Sequence, residues 1–154
     1  MIIVSDSTTL IILSNLSRLD LLENLFKTVI VPSAVYEEVM AKNTITLPNF
    51  IKVEKVIGSE TLESLLALLD KGESEAIILA KEKNLPLIID EKKGRKIALN
   101  LNLKIIGLLG VLYLNIKKKF ITKQEAKLFL DDAKRNGYRI SQKLIDEMFM
   151  GLDS

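Results

Sequence analysis

Four acidic residues, Asp6, Glu38, Glu75 and Asp90, dominate the chemistry open to this 154-residue chain, because it contains no Cys and no His. Their absence rules out disulfide frameworks, thiolate metal sites, cysteine nucleophiles, serine–histidine triads and imidazole bases. Carboxylates remain, and they favour hard cations such as Mg²⁺, Mn²⁺ or Ca²⁺. Acidic side chains packed together repel one another, and an unpaired buried charge is costly. A divalent cation reverses that balance. It can also polarise a phosphodiester, which makes phosphodiester hydrolysis the natural chemistry of such a cluster.

Each acid alone has an ordinary reading. Asp6 before Ser7-Thr8, and Asp90 before Glu91-Lys92, both suit helix caps. Glu73 and Glu75 suit the dipole of a first helical turn, and Glu37 and Glu38 suit a solvated helix face. Their joint placement is what favours chemistry.

The elements that must position them follow from periodicity. Short apolar, β-branched runs alternate with longer helical patterns, as in an α/β protein with a mainly parallel sheet. Strands are expected at 2–5, at 28–31 (closed by Pro32), at 51–56 on an edge, at 85–89 buried on both faces, and at 104–106. The first helical stretch starts near Thr8 and carries Leu10, Leu13, Leu16, Leu19, Leu22 and Leu25 on one stripe, with a break between Asn15 and Asp20. Ser33 caps the next helix, and a polar loop with Pro48 follows. Ser59 opens a helix over 60–69. Asp70-Lys71-Gly72 reads as a turn before a helix at 73–83, and 91–100 is helical and basic. Gly107 opens an apolar helix ending in Lys117-Lys118-Lys119. Amphipathic helices at 123–135 and 141–150 flank the turn Asn136-Gly137. With no repeat, low-complexity segment or linker, the chain reads as one domain, 1–154, with C-terminal helices 122–150 packing on it.

In open parallel sheets, ligands bind beyond the carboxyl ends of the strands, where the strand order reverses. Asp6 directly follows the first strand and Asp90 the fourth. Glu38 lies in the second turn of the helix leaving the second strand. Glu75 lies in the first turn of the helix entering the fourth, and that helix must run antiparallel to its strand. All four acids therefore reach the same edge.

A formal net charge of +2 is nearly balanced, so any nucleic-acid footprint must be local. Lys92, Lys93, Arg95 and Lys96 follow Asp90 immediately. Arg95 is the preferred phosphate contact because its planar fork binds bidentately, with Lys92 beside it. A solvated basic face is the other reading of this run. Few aromatics are available for stacking, which argues against strong base readout. The segment Met1-Ile2-Ile3-Val4-Ser5-Asp6 lacks a basic n-region, and no apolar run approaches the roughly 18 residues of a membrane span. The expected location is cytoplasmic.

These positions also carry a resemblance. Ile3-Val4-Ser5-Asp6-Ser7-Thr8 with Leu10-Ile11, Val31-Pro32-Ser33-Ala34-Val35-Tyr36-Glu37-Glu38-Val39, Gly72-Glu73-Ser74-Glu75-Ala76-Ile77-Ile78-Leu79-Ala80 and Leu87-Ile88-Ile89-Asp90 occur in order. The sequence thereby resembles the PIN-domain family, particularly the small prokaryotic members that include VapC-type toxins. The stretch 107–150 looks like the C-terminal part of one subgroup. The resemblance implies a three-layer α/β/α fold with a parallel sheet of order 3-2-1-4-5, with Asp6 and Asp90 flanking the switch point. It implies a Mg²⁺- or Mn²⁺-dependent ribonuclease, often dimeric and in many members a toxin restrained by a cognate antitoxin. Asp6, Glu38, Glu75 and Asp90 would be the metal-binding acids, and Thr8 the hydroxyl that orients a water. Two departures stand out: the third acid is often Asp in the family but Glu here, with Glu73 competing for the role, and Glu91 sits beside Asp90.

Other readings fare less well. A hydrolase with an aspartyl nucleophile at Asp6 would want an acid two residues later, where Thr8 stands. A receiver-like domain would want a Lys after a later strand. A PIN-like scaffold that binds RNA or a protein without cleaving is the non-enzymatic alternative.

Overall fold

The computed structural model describes residues 1–42 and 46–152. Five strands form one parallel sheet: β1 (Ile2–Ser5), β2 (Thr28–Pro32), β3 (Ile51–Glu54), β4 (Leu87–Ile88) and β5 (Ile105–Ile106), in the order β3-β2-β1-β4-β5. The expected order 3-2-1-4-5 is observed. Central β1 pairs with β2 through Ile2↔Thr28, Ile3↔Val29 and Val4↔Ile30, and with β4 through Val4↔Leu87 and Ser5↔Ile88. The order therefore reverses between β1 and β4, the strands that lead into Asp6 and, two residues beyond Ile88, Asp90.

The helices of the first half are α1 (Ser7–Asn15), α2 (Asp20–Glu23), α3 (Ser33–Lys42), α4 (Glu60–Leu66) and α5 (Lys71–Lys83). Those of the second half are α6 (Lys92–Asn100), α7 (Leu108–Lys117), α8 (Lys123–Arg135) and α9 (Gln142–Leu152). One packed group joins α1, α3, α4 and α5 and sets α5 against β1, β2 and β4. A second joins α7 to α2, α8, α9 and β5, so helices flank the sheet. Aliphatic side chains from Ile3 to Met148 form a single buried cluster, the expected result where strands covered on both faces read as unbroken Val, Ile and Leu.

Several boundaries differ from the periodicity, each for a local reason. β4 begins at Leu87 rather than at residue 85. Asn84 takes the left-handed conformation that closes α5, the Leu85 amide still bonds back to Ala80 O at 3.0 Å, and Pro86 has no N–H to give a ladder. α5 begins two residues before the expected helix, because Asp70 is its N-cap rather than part of a turn and accepts the Glu73 amide at 2.8 Å. Glu75 consequently lies in the second turn of α5, not the first. β3 stops at Glu54 on the sheet edge, α4 at Leu66, and β2 includes Pro32, whose missing N–H costs nothing at a strand end. Of the expected polar loop before Pro48, residues 43–45 lie outside the described residues.

Candidate active site

The carboxyl edge of the sheet at the β1–β4 junction is where the acids gather. Asp6 continues the ladder beyond β1, its amide donating to Ile88 O at 2.9 Å. That pairing fixes its side chain over the switch point, where it is only 4 % exposed. It stands at the N-cap of α1 without making a side-chain capping bond, and its Oδ1 is buried with no hydrogen-bond partner among the described residues. Burial pushes its carboxyl up to about 7. The Ser7 backbone hydrogen bond opposes this, and the charges of Asp70, Glu38 and Asp90 add to it. A buried, orphaned carboxylate oxygen ringed by like charges is a poor structural element and a good cation ligand.

The first turn of α1 holds the two neighbouring acids. Ser7 Oγ donates to Glu38 Oε2, and Thr9 Oγ1 donates to Asp90 Oδ2. Both hydroxyl residues are buried, whereas Thr8 between them is exposed. Among the described residues, then, the hydroxyls that contact the acids are those of Ser7 and Thr9, not that of Thr8. Asp90 also accepts the Leu108 amide, at 3.0 Å to Oδ1 and 3.3 Å to Oδ2, which anchors it at the N-terminus of α7. The preceding Gly107 makes this approach possible. A Cβ there would lie 2.5 Å from Asp90 Oδ1 and 2.8 Å from Arg95 Nη1.

The α5 acids diverge. Glu75 is buried and turned towards the start of α3, where its Oε1 accepts the Ala34 amide at 3.2 Å. Glu73, two residues nearer the start of α5, is 4 % exposed, and its Oε2 has no hydrogen-bond partner among the described residues. Burial raises its carboxyl to about 8, helped by the charge of Asp70, a hydrogen bond with Asp70, and the charges of Asp6 and Glu91. Sequence reasoning read Asp70 only as a turn residue. The signal was present, since an Asp three residues before a Glu at a helix start is the pattern of a reciprocal cap.

The oxygen-only donor set suits a hard cation, and the orphaned Asp6 Oδ1 points to one. As they stand, no three acids among the described residues enclose an ion. Mg²⁺ does not require such a cage, because it keeps several waters and takes one or two carboxylates.

Beyond Asp90 opens a cavity of about 860 Å³ whose lining includes Asp90, Lys92, Arg95, Tyr113, Leu144 and Met148. Arg95 is half-buried and donates from Nη1 to Ile89 O at 2.9 Å, while Lys92 is exposed at the rim. The expected phosphate contacts thus share one cavity with the acid at the end of β4.

The sequence matches the PIN domain over residues 2–153. The chain belongs to the PIN-domain family. PIN domains are typically nucleases and usually use divalent metal ions. Among solved structures, a PilT N-terminus domain protein from the hyperthermophilic archaeon Sulfolobus solfataricus P2 is similar, with a TM-score of 0.48 and 17% identity over 73% of this chain and 91% of that one. No curated protein matches the sequence. No helix among the described residues is long and apolar enough to cross a membrane.

Proposed function

We propose that this PIN domain is a Mg²⁺- or Mn²⁺-dependent ribonuclease that hydrolyses phosphodiester bonds of single-stranded RNA. The observation that carries the reading is the Asp6 carboxylate, buried at the strand-order reversal with an unpartnered oxygen and with Asp70, Glu38 and Asp90 pressing on it. Asp6, Glu38 and Asp90 would hold the ion together with an acid from α5, which the family pattern puts at Glu75. The bound cation supplies Lewis-acid polarisation of the phosphate. Ser7 and Thr9 keep Glu38 and Asp90 turned to the edge. Arg95 and Lys92 neutralise the backbone of the incoming strand from the Asp90 side, and exposed Thr8 lies beside its path. Water adds to phosphorus, the ester P–O bond breaks, and the leaving oxygen takes up the proton.

The same reading extends to a cytoplasmic toxin, dimeric and held by a cognate antitoxin; light scattering and co-expression with the adjacent open reading frame test those parts. For the chemistry, the test is cleavage of a broad single-stranded RNA panel. Chelation, Asp6→Asn and Asp90→Asn should each abolish it. Equal cleavage by wild type and both variants would defeat the catalytic claim, and metal-dependent RNA binding without turnover would favour a scaffold.

A further inference from the structure

The third acid of the site need not be the one the family pattern picks out. Glu75 already has a structural task. Its Oε1 satisfies the Ala34 amide, one of the free N–H groups at the start of α3. Glu73 is equally buried and shares a hydrogen bond with Asp70, yet its Oε2 has no partner among the described residues. That oxygen comes so close to α6 that a Cβ on Gly94 would lie 2.5 Å from it. No amide of that helix bonds to it among the described residues.

Asp70 links Glu73 to Asp6. Asp70 Oδ1 holds the Glu73 amide at 2.8 Å. A Cβ on the intervening Gly72 would lie 3.7 Å from Asp70 Oδ1 and 3.6 Å from Asp6 Oδ1. Both carboxylates thus border the same small space, which glycine leaves open. Two buried acids with orphaned oxygens, Asp6 and Glu73, are therefore both neighbours of Asp70. A merely structural cluster would have left these oxygens hydrogen-bonded.

We propose that Asp70 and Glu73, at the N-terminus of α5, complete the cation site at Asp6, and that Glu75 serves instead as the cap of α3. The inference rests on the metal-dependent nuclease reading and refines its ligand set. Glu73 supplies a ligand oxygen, and Asp70 either joins it or holds it through a bridging water.

The test is Mn²⁺ alone, titrated into the full chain and followed by the electron paramagnetic resonance signal of the free ion. Glu73→Gln should weaken Mn²⁺ binding at least about tenfold, and Asp70→Asn should also weaken it while still capping α5. Glu75→Gln keeps an oxygen acceptor for the Ala34 amide and should change Mn²⁺ affinity less than about threefold. Far-UV circular dichroism in chelator checks that each variant is folded, and Asp70→Asn carries the test should Glu73→Gln fail to fold. Loss of affinity in Glu75→Gln alone, or equal loss in Glu75→Gln and Glu73→Gln, overturns the assignment but leaves the nuclease reading standing. Failure of the wild type to take up Mn²⁺ removes both.

Discussion

Two buried polar regions of this chain have been given opposite treatment. Asn115 on α7 is fully buried, and all its hydrogen-bonding needs are met. Its Nδ2 donates to Leu21 O and Val111 O, each at 2.9 Å, and its Oδ1 accepts from Asn24 Nδ2 at 3.0 Å. This network ties α7 to α2 and the turn after it. At the sheet edge, Asp6 and Glu73 are almost as buried, yet each keeps an oxygen with no partner and faces other negative charges. Burying an unsatisfied polar group costs about 1–3 kcal/mol, and a charged one more. A chain able to satisfy Asn115 this completely has, among the described residues, left buried carboxylate oxygens without a partner only at this edge. The satisfied region holds the fold together, and the proposed function gives the unsatisfied one a ligand to receive.

Breaking the contrast at Asp6 should give the largest effect. Asp6→Asn keeps the shape but removes the ligand charge, and cleavage should fall at least about a hundredfold, or about 2.7 kcal/mol of transition-state stabilisation. The same variant should melt higher than wild type in chelator at pH 8, because a buried charge has gone. Coupled loss of activity and gain of stability would distinguish a ligand from a structural acid, and a lower melting point would contradict the contrast.

The pH dependence of metal-free stability has the next largest expected effect. The Asp6 carboxyl titrates near 3.8 when unfolded and about 7 when folded. The folded state thus binds the proton more tightly. Its stabilising contribution is complete below the unfolded value and is lost as pH rises through the folded one. Between pH 5 and pH 8 the loss amounts to about 2.5 kcal/mol, and Glu73 adds to it with the same sign. Urea unfolding in chelator should show this fall, Mn²⁺ should flatten it, and Asp6→Asn should reduce it. Stability that rises with pH over this range would contradict the assignment.

Asn115→Ala tests the other side of the comparison. It orphans the Leu21 carbonyl and the Asn24 amide and leaves a small void, at a cost of about 2 kcal/mol. The melting temperature should fall by roughly 4–8 °C for a chain of this size. Mn²⁺ affinity, measured well below the transition, should stay at the wild-type value.

Much of this was legible in the sequence, for identifiable reasons. The parallel α/β class and the placement of Asp6 and Asp90 at one edge followed from apolar runs ending in acids, because parallel strands put their carboxyl ends together, whereas the strand order came from the family resemblance alone. The division of labour on α5 was not legible. Glu73 and Glu75 differ by two residues, about 200° around a helix, so the rotation at which α5 packs decides which of them faces the edge. That packing lies in tertiary contacts that periodicity does not reveal, whereas the cap at Asp70 was signalled by its spacing from Glu73. Ser7 and Thr9 were missed for a related reason. Thr8 matches the family's hydroxyl position, but the first turn of α1 points it to solvent and turns its neighbours inward.

That placement of the three hydroxyls supports the smallest of the expected effects. Thr9 is buried in α1, and its hydroxyl donates to Asp90, which the Leu108 amide also holds. Thr9→Val keeps the shape and removes one of these two supports, worth about 1 kcal/mol. Asp90 would remain in place but less firmly aimed, so kcat should drop by about fivefold while the fold stays intact. Thr8→Val at the exposed position should leave kcat close to wild type and act, if at all, through KM for RNA. The reverse ranking, with Thr8→Val the worse in kcat, would mean that the family position and not the observed hydrogen bond governs the site.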